Sequence, residues 1–313
     1  MCGNERHLEE TRYKILVKIT RWSQSGLLAS IFWALAMAVV WWSVAALVIG
    51  PLGIAPIWHD QEVDFTQAPK NLDNPYETPR YVYPPWTAVL LIPFSFMPLP
   101  LAVLIQICVF FVLLAVLIHR YGGNTGHVIL VVTSYWAFDN GLELNIDWLP
   151  VLGILVPAFL SGPLLLTKPQ VALGVWLSYS RKQLIRAANV TLALLAVSFI
   201  LWDNWPEAMW DSLQRWTLTD EYYDQFNLAP IALLPVPISL AIGAWIGWHA
   251  FKQRSVILSL LAWMFFVPYI PTYTMIVYFV PITMRLPFLA FIINVTMWII
   301  YGGVILFVVL FRL

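Results

Sequence analysis

The stretch from Leu27 to Ile49 contains no charged residue, and it is long enough for an α-helix to cross a bilayer, which takes roughly 20 apolar residues. Further apolar runs follow, so that 60% of all residues are hydrophobic and only 11% are charged. A soluble domain is roughly half apolar and a quarter charged. The sequence therefore predicts an all-α, polytopic integral membrane protein with about eight to ten membrane segments.

The apolar runs predict membrane spans near 24–49, 101–119, 125–138, 187–201, 229–251 and 255–268. Residues 86–100 are too rich in proline for an ordinary span, and they predict a short or re-entrant helix. The number of crossings within 148–180 and within 269–313 is left open by the pattern. We expect one membrane domain over residues 1–313, with no separate soluble domain.

The N-terminal residues 1–23 mix basic and acidic side chains ahead of the first apolar run. That run is too long for the hydrophobic region of a cleaved signal peptide. We therefore interpret it as a first transmembrane helix that follows a cytoplasmic tail.

Acidic and basic residues occupy different connections along the chain. Five acidic residues lie within 60–77, three within 139–147 and six within 203–224, whereas basic residues cluster at Arg120, 181–186 and 252–254. Cytoplasmic loops of membrane proteins carry an excess of lysine and arginine. The pattern predicts that the basic turns face the cytoplasm and that all three acidic loops, including outer loops at 50–85 and 202–228, share the opposite face.

The first outer loop ends in the sequence NPYETPRYVYPPW, at residues 74–86. Its four prolines fix backbone angles and remove donors that a loop at the membrane surface must otherwise satisfy. One interpretation is a rigid connector whose aromatic rings anchor it at the interface. The other is an ordered loop that positions carboxylates for catalysis.

Several short motifs, in order along most of the chain, resemble glycosyltransferase family 87. In the first outer loop and the helix after it these are Asp64-Phe65, Asn74-Pro75-Tyr76, Tyr83-Pro84-Pro85 and the segment LIPFSFMP at 91–98. Later matches are Glu143-Leu144-Asn145, Thr167-Lys168-Pro169 and Pro268-Tyr269. The Tyr-Pro-Pro block is the most specific of them.

The resemblance implies a GT-C-like fold and a multi-pass protein of the bacterial plasma membrane. It also implies transfer of a hexose, with mannose the first expectation, from a polyprenyl-phosphate donor to a glycan or glycolipid acceptor on the outer face. Inversion at the anomeric carbon and no cofactor are expected. The partners are then the donor, the acceptor and the bilayer, and a net charge of zero gives no sign of nucleic acid.

Transfer from a lipid phosphate requires a base for the acceptor hydroxyl, and outer-loop carboxylates can supply one. By its motif position Asp64 is the expected base, with Asp60 and Glu62 as rivals or partners. The phosphate requires positive charge on the same face, for which Arg80 and Lys168 are the candidates. A lysine in an apolar run costs roughly 2.5–3.5 kcal/mol on insertion, so Lys168 predicts either a functional cation or a snorkelling side chain.

The motifs also imply substrate-binding roles for Tyr76, Tyr83, Glu143 and Asn145. We expect no metal site, because Cys2 and Cys108 lie far apart and His59 is a single potential ligand. The tryptophan-rich part of 202–228 predicts an interfacial helix over the cavity.

Two other functions stay open at this level. A transporter or flippase of a lipid-linked or small polar substrate would place coupling charges inside its spans, whereas 14 of the 17 acidic residues here lie in the outer loops. An inactive GT-C-like subunit is the other alternative.

Overall fold

The structure, a computed structural model, describes residues 26–53, 57–217 and 227–312. Within these ranges the regular elements are helices, and no β-strand is present. The predicted tail at 1–23, Cys2 and the part of the second outer loop at 218–226 lie outside the described residues.

The described helices follow one another with short connections, and most of those after the first outer loop begin at a proline, serine or asparagine cap. In chain order they are α1 (Gly26–Ile49), α2 (Pro85–Ser95), α3 (Leu99–Arg120), α4 (Thr125–Val132), α5 (Tyr135–Glu143), α6 (Trp148–Leu155), α7 (Ala158–Leu165), α8 (Pro169–Ala172), α9 (Arg181–Trp202), α10 (Trp205–Thr217), α11 (Pro230–Leu233), α12 (Val236–Gln253), α13 (Val256–Trp263), α14 (Met275–Arg285) and α15 (Pro287–Arg312).

Four of these helices, α1, α3, α9 and α15, are long and apolar enough to cross a membrane. The prediction of an α-helical membrane protein is confirmed at this level. The C-terminal region, whose crossings the sequence left open, forms the short helix α14 and the long helix α15.

Several predicted spans are broken where polar caps or prolines interrupt the backbone ladder. The predicted span 125–138 is two helices, because Ser134 accepts a hydrogen bond from the backbone N–H of Ala137 and starts α5. The span predicted at 255–268 ends at Trp263, five residues before Pro268. Residues 148–180, whose crossings were left open, form three helices and a final 3₁₀ segment at Leu173–Ser178.

Helix α3 runs through the centre of the core, where its side chains Phe110, Phe111 and Leu114 are fully buried. Its polar residue Gln106 is also buried, and it donates to Gln61 Oε1 at 3.0 Å while accepting from Trp148 Nε1 at 3.2 Å. A buried amide needs such partners. This amide therefore fixes the first outer loop and the start of α6 to the central helix.

The described contacts bring the acidic loops together at one end of the helices, which we call the acidic end. Asn145 donates to Asp60 at 2.7 Å, and Arg215 donates to the carbonyl of Tyr76 at 3.3 Å, so the second and third acidic loops both contact the first. At the other end, called the basic end, the Arg254 guanidinium donates to the carbonyl of Tyr179. The charge pattern had predicted this separation.

The separation gives a labelling prediction. With the two native cysteines replaced, an impermeant maleimide should modify Asp73→Cys and Asp211→Cys in intact cells, because both positions are exposed at the acidic end. Arg181→Cys and Arg254→Cys, exposed at the basic end, should react only after permeabilisation. Equal labelling of both pairs in intact cells would show that the two ends do not lie on opposite sides of the membrane.

Candidate active site

The segment 74–86, called the strap, is held by its own aromatic side chains. The hydroxyl of Tyr76 donates to the carbonyl of Tyr83 at 2.9 Å, and that of Tyr81 donates to the carbonyl of Pro84 at 3.2 Å. At the end of the strap, Trp86 Nε1 donates to the carbonyl of Pro163 at 3.1 Å. The strap is therefore fixed to α7 at the point where α2 begins.

The start of the first outer loop docks on the end of α5. Trp58 donates through its backbone N–H to the carbonyl of Leu142 at 2.7 Å and through its indole to the carbonyl of Gly141 at 3.1 Å. Its φ of 56° is unusual for a bulky residue, and such strain persists only where surrounding contacts hold it. This docking places Asp60, two residues later, over α5.

Asn145 is the residue at which the separate segments of the site meet. It follows Leu144, which ends α5 with a φ of 36° and turns the chain back across the site. Its Nδ2 donates to Asp60 Oδ2 at 2.7 Å and to the Tyr273 hydroxyl at 3.1 Å. Its Oδ1 accepts hydrogen bonds from the backbone of Ile146 at 2.8 Å, from Lys168 Nζ at 3.0 Å and from the Tyr83 hydroxyl at 3.4 Å.

Lys168 is almost fully buried, and all three of its N–H donors have protein partners. Its Nζ lies 2.5 Å from Asp147 Oδ1, 3.0 Å from Asn145 Oδ1 and 3.3 Å from Thr274 Oγ1. The other oxygen of Asp147 accepts from the Thr274 hydroxyl at 2.8 Å. Lys168 also lies 4.8 Å from the centre of the Tyr273 ring. The ion pair and its hydrogen bonds thus form a closed network.

This network corrects the prediction that Lys168 is an isolated cation available to a phosphate. A lysine ammonium has three donors, and here none is left over. The partner of Lys168 is Asp147. Asp147 belongs to the acidic cluster at 139–147, and the sequence pattern assigned it no role. Its only signal in the sequence is its position two residues after Asn145, at the start of the apolar helix α6.

Asp60 and Asp64 are neighbouring carboxyl groups on the same helical turn. Burial raises the pKa of Asp60, although the charges of Lys168 and Arg80 and the hydrogen bond from Asn145 oppose the shift. Burial and the nearby Asp60 carboxylate raise the pKa of Asp64 to about 8. Asp64 is only 5% exposed, and its Oδ1 accepts no hydrogen bond within the described part of the chain. Asp64 therefore carries its proton at neutral pH.

The remaining predicted carboxylates differ in their surroundings. Glu143 is half-buried, and burial together with the Asp139 and Asp60 charges raises its pKa to about 8. Glu62 is exposed, so the structure does not bring it into the buried network. The Tyr76 hydroxyl donates to the carbonyl of Tyr83 within the strap, and Tyr76 lines a cavity beside the strap. Glu62 is thus a predicted site member that the fold leaves outside the buried network.

Two cavities flank the strap. The inner cavity, about 360 Å³, is lined by Tyr83, Lys168 and Tyr273 together with apolar side chains, among them Met209 and Leu213 of α10. The outer cavity, about 550 Å³, is lined mainly by polar residues: Asn74, Tyr76, Glu77, Arg80, Asp211 and Arg215. Helix α10 thus borders both cavities, and the tryptophan-rich part of the predicted second outer loop is helical over Trp205–Thr217.

No protein-family model, curated protein or solved structure matches this chain. Within the described ranges, no group of three or more His, Cys, Asp and Glu side chains is arranged to hold a metal ion. The resemblance to glycosyltransferase family 87 stays a prediction, and the geometry of the site is the basis for a functional proposal.

The buried pair gives a stability prediction. Lys168→Met should destabilise the protein by about 3–5 kcal/mol, because it leaves the Asp147 carboxylate buried without a counter-charge. The double variant Asp147→Asn/Lys168→Met should recover much of that loss. Chemical unfolding in detergent, followed by tryptophan fluorescence, measures both effects.

Lys70→Met is the matched control, because it makes the same substitution at an exposed lysine of the first outer loop. Equal stability of Lys168→Met and Lys70→Met would show that the ion pair does not hold the site together.

Proposed function

We propose that the protein is a GT-C-like membrane glycosyltransferase that moves a hexose, with mannose the first candidate, from a polyprenyl-phosphate donor to a hydroxyl of a glycan or glycolipid at the acidic end. The carrying observation is that two neighbouring carboxyl groups, Asp60 and Asp64, have raised pKa values, and that a buried network holds Asp60 through Asn145. Paired carboxyls shifted in this way are typical of sites for proton transfer.

The proposed reaction is a single displacement. The acceptor oxygen attacks the anomeric carbon while the bond from that carbon to the phosphate oxygen breaks, so the configuration inverts. The acceptor proton passes to a carboxylate, and polyprenyl phosphate leaves with the electron pair. Since phosphate is already a good leaving group, the protein has to supply a positioned base and a cation rather than a strong acid.

Asp60 fits the role of base better than Asp64, which the motif resemblance favours. Asp60 is only half-buried, and Lys168, Arg80 and Asn145 all stabilise its ionised form. Asp64 is almost fully buried, and its raised pKa of about 8 keeps it protonated at neutral pH. We infer that Asp60 accepts the proton and that Asp64 is a neutral neighbour.

Arg80 fits the role of phosphate cation better than Lys168, whose donors are all used. Arg80 lines the outer cavity, and its charge lowers the pKa values of Asp60, Asp64 and Glu143, which shows that it lies near the carboxylates. Lys168 then acts as a positioning residue. It holds the Asn145 side chain, which in turn holds Asp60.

A transporter or flippase is the second candidate, and one observation favours it. The helices next to the site are broken, and the buried carboxyl of Asp139 lies on α5, one of the broken segments. Transporters build their sites from discontinuous helices with buried charges. In vesicles, movement of the donor lipid between leaflets without formation of a transfer product identifies this alternative.

The base assignment predicts a graded set of activities. With a panel of radiolabelled polyprenyl-phosphate hexoses and purified protein in vesicles, Asp60→Asn should lower the transfer rate by roughly 100- to 10,000-fold, the usual effect of removing a positioned base. Asp64→Asn should lower it less. Glu62→Gln is the control, because it also removes one carboxylate from the first outer loop. This variant should transfer the hexose at the wild-type rate, since Glu62 is exposed.

If Asp64→Asn abolishes transfer while Asp60→Asn retains it, the base is the residue that the motif indicates and the enzyme class survives. If neither substitution matters, the proposed glycosyltransferase mechanism is wrong.

The raised pKa values predict a pH profile. The base must be ionised, so transfer should fall on acidification at a pH above the ordinary aspartate pKa of about 3.9. Asp64 is protonated over this range, so Asp64→Asn removes no charge beside Asp60, and the acidic limb of the rate profile should stay at the wild-type pH in this variant. A limb that moves to lower pH in Asp64→Asn would mean that Asp64 is ionised there and that the assignment of protons to the two carboxyls is wrong.

A further inference from the structure

A third cavity lies at the basic end, far from the proposed active site along the helices. It has a volume of about 370 Å³, and its polar lining includes Arg120, Tyr121, Tyr179, Ser180, Gln183 and Arg254. None of the described residues that line it is acidic. Two guanidinium groups face a space without a counter-charge on its wall, which makes the cavity a candidate site for an anion.

The N-terminal turns of three helices add to this positive potential. Ala158 is the first residue of α7, Ser180 caps α9 and Val256 is the first residue of α13, and all three line the cavity. The N-terminus of a helix carries a partial positive charge and exposes backbone N–H groups. Each of these helices has at least two turns, so the partial positive charges of three helix N-termini lie at the wall of one cavity.

Both arginines are held in place from the cavity wall. The Nη1 of Arg120 donates to the carbonyl of Leu155, and the Nη1 of Arg254 donates to the carbonyl of Tyr179. Arginine has five N–H donors in a planar fork, so one bond to the wall leaves donors for a second partner. A guanidinium fixed in this way suits bidentate recognition of a phosphate group.

We propose that this cavity binds a phosphate group, and that an anionic glycerophospholipid presents it. Arg120 ends α3, and Ser180 immediately precedes α9, both of which are helices able to cross a membrane. The cavity therefore lies where the hydrocarbon core gives way to lipid headgroups. Basic cavities between membrane helices bind such headgroups, and the apolar lining residues Ile154 and Val156 can contact the glycerol.

The test uses the full chain in a neutral detergent. The protein is titrated with phosphatidylglycerol, with phosphatidylcholine of the same acyl chains, and with inorganic phosphate alone. The unfolding temperature, read by tryptophan fluorescence, reports binding, and native mass spectrometry counts the bound lipids. We expect phosphatidylglycerol to stabilise the protein more than phosphatidylcholine does.

The variants Arg120→Gln and Arg254→Gln should each weaken phosphatidylglycerol binding by about tenfold, the effect of losing one charge-assisted hydrogen bond. Arg186→Gln is the matched control, because Arg186 is exposed near the same end of α9 but does not line the cavity. It should bind as the wild type does. Circular dichroism and gel filtration establish that each variant is folded. If one arginine variant does not fold, lipid binding by the other variant tests the proposed site.

The outcomes separate the possible sources of the phosphate. If inorganic phosphate alone protects the wild type and the two arginine variants lose that protection, the cavity is a phosphate site and the ligand is a soluble phosphate. If Arg186→Gln weakens binding as much as the cavity variants do, the effect is a general surface charge and the proposed site is wrong. Wild-type binding in both arginine variants overturns it as well.

Discussion

The buried ion pair between Lys168 and Asp147 is the interaction on which the candidate site depends. Removing two charges from water costs several kcal/mol per ion, and their attraction repays it only when further hydrogen bonds satisfy the remaining donors and acceptors. Here Asn145 and Thr274 provide those bonds. Because Asn145 also holds Asp60, the charge balance of the pair and the position of the proposed base are parts of one network.

Backbone strain is concentrated where the segments of this network meet. Trp58, Arg80 and Leu144 have positive φ angles, at the docking of the first loop, in the strap and at the end of α5 respectively. Each such conformation costs of order 1–3 kcal/mol and requires surrounding contacts to persist. The indole hydrogen bond of Trp58 and the hydrogen bonds of the tyrosine hydroxyls within the strap supply these contacts. Such over-determined positions are typical of functional sites, where precise orientation raises the rate.

The two ends of the protein use charge in opposite ways. At the acidic end, several carboxyl groups lie close to one another, and burial raises their pKa values, that of Asp64 to about 8. At the basic end, arginines and helix N-termini surround a cavity without acidic neighbours. Proton chemistry at one end and anion binding at the other are therefore compatible within one fold, since the charges lie too far apart along the helices to neutralise one another.

From the sequence alone, hydrophobicity predicted an α-helical membrane protein, the charge pattern predicted the separation of acidic and basic loops, and short motifs gave candidate site residues. Hydrophobicity reports the solvent around a chain, and motifs report local backbone, so Tyr83, Asn145 and Lys168 could be proposed as candidates, with Asp60 as a neighbour of the motif residue Asp64. Only the tertiary structure decided that Lys168 is paired with Asp147, that Glu62 stays in solvent and that residues 125–138 form two helices. Those outcomes depend on which side chains, distant in sequence, are buried next to one another. The energy of a buried ion pair or hydrogen bond depends on the distances between its partners, and no single segment of the sequence sets those distances.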